Sequence, residues 1–70
     1  MTIQLHDHVV ARVDVPEVGV RAGAAGVVIE VYPDGSFDVE FAPDVDENLV
    51  IASMTSGELA PVQEAPRLAA

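Results

Sequence analysis

Apolar residues recur at every second position through much of this chain, the period of a strand with one buried face. From His8 to Val15, the residues Val9, Ala11, Val13 and Val15 share one face, and Val10, Arg12 and Asp14 share the other. Pro16 lacks a backbone donor and ends that pairing. Residues 16–23 then read as a loop, with Gly19 and Gly23 available to fold it back. A second strand is predicted from Ala24 to Tyr32, with Val27, Ile29 and Val31 facing inward and Val28, Glu30 and Tyr32 outward. Gly26 near its start marks a bulge or a close backbone approach.

The clearest local signal is Tyr32-Pro33-Asp34-Gly35-Ser36-Phe37. Pro presets the first corner of a type I turn, Asp tolerates the second, and Gly supplies the left-handed exit. Strand patterns flank it, so it predicts a hairpin with a glycine bulge. The third strand, Phe37 to Phe41, points Phe37, Val39 and Phe41 inward and Asp38 and Glu40 to water. A loop over residues 42–46 leads to a fourth strand from Glu47 to Ser53, with Leu49 and Ile51 inward. Thr55-Ser56-Gly57-Glu58 has capping-box spacing, with room for one 3-10 turn. Leu59 to Val62 closes the pattern as a short strand, and Ile3 and Leu5 in the lead-in are placed to cap the core.

Five short strands with one 3-10 turn before the last make an all-β domain, laid out as a five-stranded SH3-like barrel. Closure would remove exposed sheet edges. The alternative is an open meander that completes itself by dimerising. The barrel is assigned to residues 1–62, and residues 63–70 to a frayed tail. The expected core is Val27, Ile29, Val31, Phe37, Val39, Phe41, Leu49 and Ile51.

Composition narrows the function. Seventy residues without a cysteine hold no disulfide and no thiolate metal site. So small a core lies near the limit of independent stability. The formal net charge is −9, lysine is absent, and the cations are Arg12, Arg21 and Arg67. Binding phosphates requires Lys and Arg. Nucleic acid and anionic membranes are therefore disfavoured as partners, and a basic protein is favoured. The first eight residues carry no positive n-region or long apolar run, and no stretch approaches the ~20 apolar residues of a membrane helix. A cytoplasmic protein is expected.

The blocks Asp7-His8-Val9-Val10-Ala11, Pro16 to Gly23, Gly26 to Tyr32, Phe37 to Phe41 and Glu58-Leu59 together resemble a small bacterial family catalogued as domain of unknown function 4926. The resemblance spans about residues 5 to 62. It implies an SH3-like outline and brings no catalytic residues. By analogy, its size and bacterial setting suit an accessory, antitoxin or immunity role. The Gly26-x-Val28-x-x-Val31 pattern is also similar to the ribosomal KOW motif, but Glu30, Asp34, Asp38 and Glu40 stand where RNA binding needs cations.

Candidate chemistry is sparse. His6-Asp7-His8, if extended, would aim both imidazoles the same way, as two of the three or more ligands a metal needs. The simpler reading is a pair of incidental histidines, and no metal or cofactor is assigned. Ser36, Ser53, Ser56, Thr2 and Thr55 are the hydroxyl nucleophiles, far in sequence from the histidines and on a scaffold too small for a water-excluding cleft. The chain therefore reads as a non-enzyme. Asp34, Asp38, Glu40, Asp44, Asp46 and Glu47 form an acidic run without an intervening cation. Such a run is either a solubilising face or a docking surface for a basic protein. Asp44-x-Asp46-Glu47 offers oxygen ligands for calcium but lacks EF-hand spacing. Val10, Val28 and Val50 are expected to face outward beside Tyr32 as an apolar patch.

The contact residues expected are thus Asp38, Glu40, Asp44, Asp46 and Glu47, with Val10, Val28, Tyr32 and Val50. The leading function is a non-catalytic interaction module, an antitoxin- or immunity-like inhibitor of a basic bacterial protein. The alternative is a self-associating structural or accessory domain of a larger enzyme complex.

Overall fold

The computed structural model describes residues 3–42 and 49–62. It is all-β: β1 (His8–Ala11), β2 (Ala25–Val31), β3 (Ser36–Phe41), β4 (Val50–Thr55) and β5 (Leu59–Pro61). All neighbours pair antiparallel, in the order β4-β3-β2-β1-β5. One 3-10 turn, Ser56–Glu58, precedes the last strand, as the capping-box spacing predicts. The Thr55 N–H donates to Glu58 Oε1 at 2.9 Å, the half of the box that satisfies the turn's first donor. The expected closure is absent among the described residues: no ladder joins β4 to β5, and the sheet is open.

The hairpin between β2 and β3 forms as its residues dictate. The Gly35 N–H donates to Tyr32 O at 3.1 Å, with Gly35 at φ 92°. Asp34 Oδ1 accepts from the backbone N–H of Ser36 at 3.0 Å and from its hydroxyl at 2.7 Å. These bonds favour the charged form and hold the Asp34 carboxyl below its ordinary range.

The core is Ile3, Val9, Ala11, Val20, Val28, Phe37, Val39, Phe41, Ala52, Met54 and Leu59. In β3, Phe37, Val39 and Phe41 are buried as expected. The strands on either side of β3 depart from expectation: β4 is turned over, and β2 is turned over as far as its bulge. In β2, Val28 is fully buried opposite Val39, while Val27 and Ile29 are half-buried and Val31 is exposed. A bulge then changes the parity: pairing passes from Val28↔Val39 to Glu30↔Asp38, leaving Ile29 unmatched, so Val31 returns to the expected face opposite Phe37 but remains exposed at the end of the strand. Gly26 anchors the register opposite Phe41, and a β-carbon there would lie 2.8 Å from the Phe41 ring and from Glu40 O. In β4, Ala52 lies opposite Val39 and Met54 opposite Phe37, both buried. Leu49 and Ile51, expected in the core, are 60% and 52% exposed.

The first strand is also shorter than expected. It ends at Ala11, the Arg12 N–H donates to Glu58 O at 2.8 Å, and Val13 is exposed. Residues 12–24 form a tied loop instead. Val15 and Val20 exchange backbone bonds of 2.8 and 3.1 Å around a 3-10 turn at Pro16–Val18. Asp14 Oδ1 accepts from the Ala22 N–H at 2.8 Å. Val20 is thereby driven into the core, with Val15 and Val18 packed against it. In the lead-in, Ile3 is buried but Leu5 is 48% exposed.

Candidate functional site: the outer face of the sheet

Partners in an antiparallel ladder share a face, so the registers place the outward side chains. One row runs His8, Val27, Glu40, Ile51 across four strands. A second runs Glu30, Asp38, Ser53 across β2, β3 and β4. The outer face thus carries three carboxylates, Glu30, Asp38 and Glu40, beside exposed Ile51.

Asp38 is held on both sides. The Tyr32 hydroxyl donates to Asp38 Oδ2 at 2.6 Å, and the Ser53 hydroxyl donates to Oδ1 at 2.8 Å. Both bonds stabilise the charged form, so the Asp38 carboxyl lies below its ordinary range, with the Tyr32 bond the larger cause. The same bond raises the Tyr32 phenol above its ordinary value, aided by the nearby charges of Asp38 and Glu30. A fixed, ionised carboxylate therefore sits at the centre of the face. Glu40 is half-buried between Val27 and Ile51 in the adjacent row.

The other expected contact residues divide. Val10 is half-buried between fully buried Val9 and buried Ala11, so it points to the outer side as expected. Tyr32 is 39% exposed. Val28 does not belong to any surface patch, because it is completely buried. Val50 lies opposite Phe41 and packs against the core from the inner side. The expected valine patch is therefore not assembled; Ile51 and Leu49, assigned to the core by alternation, are the exposed apolar side chains of β4 and its approach. Asp44, Asp46 and Glu47 lie outside the described residues, as does the expected tail of residues 63–70.

The extended reading of His6-Asp7-His8 is replaced by a turn. The Asp7 N–H donates to Gln4 O at 3.0 Å, Asp7 Oδ2 accepts from the Gln4 N–H at 2.8 Å, and His6 takes φ 72°. Among the described residues no group of three His, Cys, Asp or Glu side chains is placed to hold a metal. The hydroxyls of Ser36 and Ser53 each donate to a carboxylate. An open depression lined by Asp14, Pro16, Gly19, Val20 and Arg21 lies at the tied loop, away from these groups in the chain. No helix among the described residues is long and apolar enough to cross a membrane.

Fold and face define a small all-β domain whose open antiparallel sheet presents an ordered acidic surface. The chain belongs to the family described as domain of unknown function DUF4926, which it matches over residues 5–61. No curated protein and no solved structure matches it.

Proposed function

We propose that this chain is a non-catalytic protein-interaction module whose outer sheet face docks a basic protein. The observation that carries the reading is the Glu30–Asp38–Ser53 row beside the Glu40–Ile51 pair, with Asp38 fixed in its charged form by Tyr32 and Ser53. A carboxylate already immobilised loses less side-chain freedom on binding. Acidic surfaces steer cationic partners and accelerate their association, while an adjacent apolar residue supplies contact area that charge alone does not. The net charge of −9 acts in the same direction and disfavours nucleic acid and anionic membranes. The specific form of the reading is inhibition of a basic bacterial protein, in the manner of an antitoxin or immunity protein.

The test is affinity capture from the native host followed by binding kinetics at rising salt. Charge reversal belongs at Glu30 and Glu40, because Asp38 has structural bonds that its reversal would break. The expected result is a cationic partner whose association slows with salt and with Glu30→Lys/Glu40→Lys, at unchanged fold stability. A partner indifferent to both would make the acidity a solubility device.

A further inference from the structure

We propose that the Asp34–Gly35 bond is a site of spontaneous backbone rearrangement to an isoaspartyl linkage, which the hydrogen bonds of the β2–β3 turn keep closed. This is independent of the basic-partner reading.

The chemistry needs an aspartyl carboxyl followed by an unhindered backbone nitrogen. Of the chain's aspartates only Asp34 precedes a glycine; Asp7 precedes His8, Asp14, Asp38 and Asp44 precede valines, and Asp46 precedes Glu47. A branched or long side chain crowds the attacking nitrogen, and glycine has no β-carbon to do so. In the reaction the Gly35 nitrogen gives up its proton and bonds to Asp34 Cγ, and one carboxyl oxygen leaves as water. Water then opens the cyclic imide at either carbonyl. Opening at Cγ restores aspartate. Opening at the Asp34 main-chain carbonyl leaves the chain running through Cγ, with the α-carboxylate as the side group. One water leaves and one enters, so the mass is unchanged and no co-reactant is consumed.

The turn withholds both reacting groups. The Gly35 N–H donates to Tyr32 O at 3.1 Å, which holds its proton in place. The Asp34 carboxyl must be protonated to lose water. Its Oδ1 instead accepts from the Ser36 N–H at 3.0 Å and from the Ser36 hydroxyl at 2.7 Å, bonds that favour the ionised form. Packing adds no protection: Asp34 and Gly35 are exposed, and nothing lies within 4 Å of where a β-carbon on Gly35 would sit. Water for the second step is at hand. The lock is therefore these hydrogen bonds, and it opens whenever the hairpin tip does. The product puts an extra carbon into the main chain, inside a turn closed by the Tyr32 N–H donating to Ser36 O at 2.9 Å.

Ageing the whole chain at neutral pH, then mapping its peptides by chromatography against a synthetic isoaspartyl standard, tests this. Folded wild type should accumulate the linkage at Asp34 slowly, and the same chain unfolded in urea much faster. Ser36→Ala removes the hydroxyl bond and should speed accumulation in the folded chain by about tenfold, the factor carried by one hydrogen bond to a charged group. In urea it should match wild type, because the lock is then gone from both. Glu58→Ala weakens the fold away from this turn and should stay near the wild-type rate. Equal rates for folded and urea-unfolded wild type overturn the proposal, as does a Ser36→Ala rate equal to that of wild type. Equal acceleration by Ser36→Ala and Glu58→Ala overturns the assignment of the lock to the turn. Accumulation at another aspartate ahead of Asp34 overturns the site.

Discussion

The Tyr32 hydroxyl and the Asp38 carboxylate hold each other across the β2–β3 hairpin at 2.6 Å, and Ser53 ties the same carboxylate to β4 at 2.8 Å. One surface residue thus links three successive segments of the sheet. The bond shifts its two ends in opposite directions, Asp38 down and Tyr32 up. For Asp38, the stabilisation is present above its unfolded pKa and is lost as pH falls through the lower folded value. For Tyr32, it is present below the ordinary phenol value of 10.0 and is lost as pH rises through the higher folded value. The chain has one tyrosine and no tryptophan, so tyrosinate absorbance reads this site alone. Asp38→Asn is expected to move that titration back toward the ordinary value. An unchanged curve would remove the bond from the account.

Gly26 meets the Phe41 ring and the Glu40 carbonyl where a β-carbon would sit at 2.8 Å from both. The ring can move, but the backbone oxygen belongs to the β2–β3 ladder. Gly26→Ala should therefore cost about 1–3 kcal/mol through overpacking. Phe41→Ala, at a 1% exposed core position, should cost about 3–5 kcal/mol, which is comparable to the whole stability of so small a domain. The double variant should be less destabilised than the sum, because one of the two clashes is gone. Denaturant melts of the three variants check this; strict additivity would mean that ring and glycine are not in contact.

The 3-10 turn before β5 hangs on Glu58, whose side chain accepts from the Thr55 N–H and whose backbone oxygen accepts from the Arg12 N–H. Glu58→Ala removes the first of these and should cost about 1 kcal/mol. Glu58→Gln should retain most of the stability, since the amide oxygen can accept in the same place. Equal losses in the two variants, measured by thermal unfolding, would show that charge rather than the hydrogen bond matters there.

Where the chain alternates sharply, its sequence and structure agree. Phe37-Asp38-Val39-Glu40-Phe41 has one face it can bury, and the Pro-Asp-Gly turn before it permits one geometry. Asp38 and Glu40 are therefore legible as outward from sequence alone. Val27-Val28-Ile29 and Leu49-Val50-Ile51-Ala52 are apolar on both faces, so alternation carries no sign. Their orientation comes from other residues: Gly26 fitted under Phe41, the bulge at Ile29, and the match of small Ala52 to Val39. In both strands, ranking by side-chain size points to the wrong face. The fixation of Asp38 was likewise out of reach, since Ser53 is its neighbour only once β4 has paired with β3.

The turned-over face of β4 yields the sharpest test, because it predicts opposite behaviour for two large apolar residues three positions apart. Met54 is 2% exposed against Phe37, whereas Ile51 is 52% exposed beside Glu40. Truncating a buried methionine leaves a cavity that a packed interior fills only in part, so Met54→Ala should cost about 2–5 kcal/mol. Ile51→Ala removes contacts mostly with solvent and should stay within about 0.5 kcal/mol. If Ile51→Ala were the more damaging variant, β4 would have the opposite face in the core, and the outer row of Glu40 and Ile51 would not exist.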